Sequence, residues 1–215
     1  MVPKGETEMT IKHPKLVLAV TVLSLVACMA VQAQAQMPPM AGAPAVAAGS
    51  PVDPAKALDA MVTRLEGLWM GAAQAMPADK YSFAPSAAIF APGQKVQYDG
   101  VRTFAQIVTH TIQANYGAFG GIGGIKPDVD TKAIGDLKSK DDIIKALAAT
   151  FAFAHKAVAN VTAANAFLSV RGLQTPATMF AGAVGHAEDE YGQAVEYLRM
   201  NAIVPPASET PARKM

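Results

Sequence analysis

Four stretches of this sequence place apolar side chains at the three-and-four spacing of an α-helix, and each is bounded by residues that start or stop helices. The first begins at Asp53-Pro54, an N-cap followed by proline at the first helical position, and carries Leu58, Met61, Val62, Leu65, Leu68, Trp69 and Ala72 until Pro77 ends it. A second starts near Asp99 and Val101, with Phe104, Ile107, Val108, Thr111 and Ile112 on one face, and ends in the glycine-rich stretch Gly117 to Gly124. That stretch has neither the strand before it nor the lysine of a phosphate loop, and it reads as a flexible turn. Ser139-Lys-Asp-Asp142 reads as a capping box for a third helix that turns Ile144, Leu147, Phe151 and Val158 inward. Thr175-Pro176 opens the fourth, whose stripe is Phe180, Val184, Ala187, Tyr191, Val195 and Leu198. No paired strands are evident, so the expected fold is all-α, a four-helix bundle. The connections Ala78 to Gly100 and Gly121 to Lys138 are long for a bundle of antiparallel neighbours, which predicts a crossover or a loop folded over one end.

Outside the bundle, composition divides the chain into a leader at 1–35, a linker at 36–52, the bundle at 53–208 and a tail at 209–215. Lys4, Lys12 and Lys15 precede the apolar run Leu16 to Ala27, and Ala33-Gln34-Ala35 offers a signal-peptidase site. The run is short of the roughly 20 residues a spanning helix needs, so a cleaved signal and no stable membrane span are expected. The protein is then periplasmic or secreted, or lipid-anchored if Leu25-Val26-Ala27-Cys28 is processed as a lipoprotein signal. Cys28 is the sole cysteine, which excludes a disulfide framework and a zinc-thiolate site. Cleavage after Ala35 removes three of 18 basic and two of 17 acidic residues, leaving 15 of each, a balance that argues against a nucleic-acid partner. Gln36 to Val52 is Pro, Ala and Gly without charge and reads as a tether, and the tail after Ile203 has a similar composition.

Chemistry concentrates in the fourth helix. His186 and Glu190 stand at i and i+4, the spacing with which two side chains on one face grip one metal ion. His110 falls on the shoulder of the second helix's apolar arc and is the candidate third ligand. Glu188 and Asp189 project away from the His186/Glu190 edge. His155 projects into the third helix's arc, where it is either a buried histidine bonded to a neighbour or a compensating metal ligand. Tyr191 sits in the middle of its stripe and reads as core. Tyr116 and Tyr197 read equally well as ligand donors or as packing, and Trp69, Met61, Met70 and Met76 read as filling.

The stretch His186-AEDE-Tyr191-Gly-Gln-AVEYLRMNAIVPPAS resembles the closing helix of DinB-like proteins. Val101-RTFAQIVT-His110-TIQAN-Tyr116 resembles the second helix of one branch of that family, and Met76-PADKYS-Phe83 its segment after helix one. The three motifs occur in order within Asp53 to Ser208. The resemblance implies a four-helix bundle, often dimeric, with a divalent metal held by three histidines. It implies activity as a metal-dependent transferase that uses low-molecular-weight thiols, or as a hydrolase, on a small-molecule substrate. Carried over by position, the ligands are His110 and His186, with Glu190 where the third histidine stands. Two imidazoles and a carboxylate suit zinc, nickel, iron(II) or manganese. The alternative is a non-catalytic exported bundle that binds a partner or small ligand, its metal site degenerate.

Overall fold

The computed structural model describes residues 46–89 and 91–209. The leader with Cys28, residues 36–45 of the linker and 210–215 of the tail lie outside the described residues. Among the described residues there are four α-helices: α1 (Pro54–Ala75), α2 (Phe104–Gly123), α3 (Lys140–Val158) and α4 (Pro176–Met200). Each helix starts where a side chain can take up an orphan N–H. Asp53 accepts from Lys56 N, Thr103 from Gln106 N, Ser139 from Asp142 N and Thr175 from Thr178 N. Thr103 forms a full capping box with Gln106, four residues past the expected start near Asp99. At Ser139 the box is one-sided, because the Asp142 carboxylate takes the serine hydroxyl at 2.6 Å rather than its backbone N–H.

Helices α3 and α4 both pack against α1 and against α2, so the pairs consecutive in sequence, α1 with α2 and α3 with α4, lie across the diagonals. This is the physical reason for the long 76–103 connection, which must cross the end of the bundle. Part of it is structural. Phe104 N and Ala105 N, in the first turn of α2, donate to Phe83 O at 2.8 Å and Tyr81 O at 2.9 Å, while Tyr81 Oη donates to Ala73 O at 2.7 Å. Lys140 Nζ donates to Gln74 O and Met76 O, placing a cation on the carbonyl end of α1. After α4, Pro205 is buried and 206–208 packs on α1, so the chain from Val204 to Ser208 is docked there rather than a tether.

The glycine-rich stretch is helix and not a turn. α2 continues through Gly117, Gly120, Gly121 and Gly123 and stops only at Gly124, whose φ of +63° is left-handed. A Cβ on Gly123 would stand 2.5 Å from Ala157 Cα and 2.6 Å from Ala157 O, and one on Gly121 would stand 2.3 Å from Met179 Cε. Glycine in a helix is about 0.5–1 kcal/mol worse than alanine. Here that cost is offset by bringing the α2 backbone against α3 and α4. The core fills the space between the helices with Trp69, Phe104, Ile112, Phe119, Leu147, Phe151 and Leu198. Ile143 takes the buried position beside Ile144, which is half-exposed, and Tyr191 is likewise only half-buried.

Candidate metal centre

Because α2 packs on α4, the shoulders bearing His110 and His186 meet. The two rings stand edge to face with centroids 5.2 Å apart, and their Nε2 atoms face each other at 3.2 Å. Glu190 Oε1 lies 3.6 Å from His110 Nε2 and 3.8 Å from His186 Nε2. All three ligand atoms fall within 4.8 Å of one another. Donors that share one tetrahedral zinc-sized ion at about 2.0–2.1 Å stand about 3.3 Å apart. The three separations therefore suit a common ion, with room for further ligands.

The electrostatics fit the same group. Glu190 is 4% exposed, and its Oε2 has no hydrogen-bond partner. Its nearest cation is Arg102, whose Nη1 is 3.6 Å from Oε1, too far for a hydrogen bond, on a side chain 45% exposed. A buried carboxylate so poorly served is costly unless a cation supplies the missing contact. Burial lowers the pKa of His110, helped by the Arg102 charge and by His186 and opposed by Glu190. The imidazole is thereby held in the neutral form that a metal requires. Two imidazoles facing through Nε2 share either an N–H proton or a cation, and the residues present fit a divalent ion.

A sequence profile of the DinB superfamily matches residues 57–194. The chain belongs to the DinB superfamily. No curated protein matches it. Within this DinB-like bundle the third position is filled by Glu190, so the cluster is His-His-Glu. Among the described residues no helix is long and apolar enough to cross a membrane.

His155 is elsewhere. Its Nδ1 meets Asp59 Oδ1 at 2.5 Å and its Nε2 meets Glu66 Oε2 at 3.2 Å, both on α1, so it joins α1 to α3 and is not in the His110 cluster. The compensating-ligand reading is thereby corrected: its partners sit on α1 because α1 packs on α3. Glu188 is paired with Arg64, and Asp189 accepts from Gln193 Nε2, so neither turns to the centre. Tyr116 is buried against Phe153, and Tyr197 donates to Arg102 O at 3.0 Å. Arg102 and Asn115 were not evident beforehand. The one signal for Asn115 is an amide on the apolar arc of α2, between Ile112 and Phe119.

The His155 bridge has a pH signature. Burial alone would lower its pKa, but hydrogen bonds and charges from Asp59 and Glu66 outweigh this and raise it above the 6.5 of a free histidine. A raised folded pKa means that the stabilisation is fully present below about pH 6.5 and is lost as pH rises through the folded value. Urea midpoints should show wild type ahead of His155→Gln at about pH 6, with the gap narrowing by about pH 9. An equal gap at both would show that the imidazolium is not the bridge.

Proposed function

We propose that this DinB-like protein is an exported metal-dependent enzyme that holds one divalent ion through His110, His186 and Glu190 and acts on a small molecule as a hydrolase or transferase. The observation that carries the reading is Glu190, a buried carboxylate with an orphan oxygen, set against two facing imidazole nitrogens. An ion there supplies Lewis acidity toward a water or a thiol. The chain's own groups do the rest. His110 stays neutral and offers its lone pair, and Glu190 brings a negative charge that softens the ion's acidity relative to an all-histidine site. Tyr197 steadies the backbone at Arg102, whose half-exposed guanidinium can draw in an anionic group beside Glu190. With Glu188 and Asp189 turned away, a proton acceptor must be Glu190 itself or a group on the substrate. Hydrolysis suits export better than thiol transfer, since low-molecular-weight thiols belong mainly to the reducing cytoplasm. Export rests on the basic start, the apolar run and Ala33-Gln34-Ala35.

Elemental analysis of protein purified without chelators tests the centre. Wild type should carry stoichiometric zinc, nickel, iron or manganese, and His110→Ala and His186→Ala should carry little. Equal and negligible metal in all three would leave a non-catalytic bundle with a decayed site.

A further inference from the structure

Five polar or charged residues are buried among the described residues: Thr109, Thr111, Asn115, Thr150 and Glu190. Each threonine hydroxyl donates to a helix carbonyl, of Gln106, Ile107 and Ile112 respectively. The other two each carry an atom with no partner, Glu190 Oε2 and Asn115 Nδ2, and both belong to the α2–α4 seam. Glu190 is accounted for by the metal centre. Asn115 is not, and a buried unpaired donor costs stability for no structural return. It lines a groove of about 230 Å³ with Ala114, Ala118, Met179, Gly182, Ala183 and His186. The groove thus starts at a metal-ligand histidine and contains a hydrogen-bonding group that nothing in the chain uses.

We propose that this groove binds the slim, uncharged acyl portion of an aliphatic amide, hydrogen-bonded to the Asn115 side chain, with the ligand's far end at His186. Apart from His186 the walls are alanine, glycine, methionine and one amide, so a charged ligand would find no opposite charge there. Nδ2 as placed is closed to solvent, so a ligand amide N–H donates to Oδ1; with the side-chain amide turned over, the nitrogen takes that position and donates to the ligand's carbonyl oxygen instead. Asn115 lies five residues beyond His110, about 7.5 Å along the helix axis. The amide recognised in the groove is therefore separate from the group presented to the centre. The inference rests on the metal reading only in treating that far end as the reacting one.

The test uses the mature full-length chain, ¹⁵N-labelled, titrated with pentanamide, pentanoate and pentylamine. Pentanamide should give saturable shifts of the Asn115 side-chain NH₂ and the Gly182 amide, and the two charged analogues should not. A Cβ on Gly182 meets nothing within 4 Å, so Gly182→Leu can enter the groove without a clash. Gly182→Leu and Asn115→Leu should each weaken pentanamide binding about tenfold or more, the loss of one hydrogen bond's worth of affinity. Asn115→Leu should also melt higher than wild type, since it removes the orphan donor, which shows that lost binding is not lost folding. No saturable shift with pentanamide, or undiminished binding in both variants, overturns the proposal. His110→Ala, which does not line the groove, separates the two readings. Pentanamide binding that survives in His110→Ala shows that the groove stands without the centre; wild type that binds pentanamide but carries no metal leaves the groove and removes the centre, and wild type that holds metal without a groove response does the reverse.

Discussion

Saturating zinc should raise the melting temperature of the wild-type protein, and the rise should disappear in His186→Ala. At one hundred times its Kd a ligand that binds only the folded state contributes about 2.7 kcal/mol. For a chain of this size that is a shift of roughly 5–11 °C. Glu190 gives the experiment its most informative variant. Its carboxylate is buried, with Oε2 unpaired and Arg102 Nη1 3.6 Å from Oε1, so Glu190→Leu removes an unsatisfied group. Metal-free Glu190→Leu should therefore be more stable than wild type, by about 1–3 kcal/mol, while losing the response to zinc. A variant that is both less stable and still zinc-responsive would show that Glu190 is a structural residue and not a ligand. The pattern expected, stability gained and metal lost, is that of a group kept for binding at a cost to the fold.

Trp69→Ala should be the most damaging single substitution in the α1–α4 seam. The side chain is fully buried, meets the Tyr191 ring edge-on at 5.9 Å, and donates from Nε1 to Ala187 O at 3.2 Å. Truncating a buried tryptophan costs about 3–5 kcal/mol, through lost transfer free energy and the cavity left behind. That is a large part of the roughly 5–15 kcal/mol that holds a domain together. Trp69→Phe keeps most of the volume and loses the hydrogen bond, for about 1–2 kcal/mol. Urea unfolding of the two variants measures both. A cost for Trp69→Ala below about 1 kcal/mol would mean that the site collapses and that Trp69 does not hold α1 against α4. Its partner carbonyl belongs to the residue after His186, so the same indole steadies the helix that presents this candidate ligand.

The helices were legible because their signals are local. Asp53-Pro54 and Thr175-Pro176 name their own starts, and the apolar stripe of each helix needs only its own residues to be seen. Glycine was not legible in the same way. Gly117 to Gly124 is as compatible with a turn as with a helix when read alone, and what decides is Ala157, whose backbone comes too close to Gly123 to admit a side chain. His155 likewise sits on an apolar arc, yet its carboxylate partners lie 96 and 89 residues away in α1.

By itself the sequence determined the four helices, most of their inward residues and the i, i+4 placement of His186 and Glu190, since all of these follow from the periodicity of one helix at a time. Only the tertiary structure decided that α2 packs on α4, so that His110 Nε2 meets His186 Nε2 while His155 is carried away to α1. The pairing of helices depends on which faces and which glycine contacts bury best together. That is a property of the assembled core, and it is what leaves Glu190 and Asn115 each buried in the α2–α4 seam with a bond unmade.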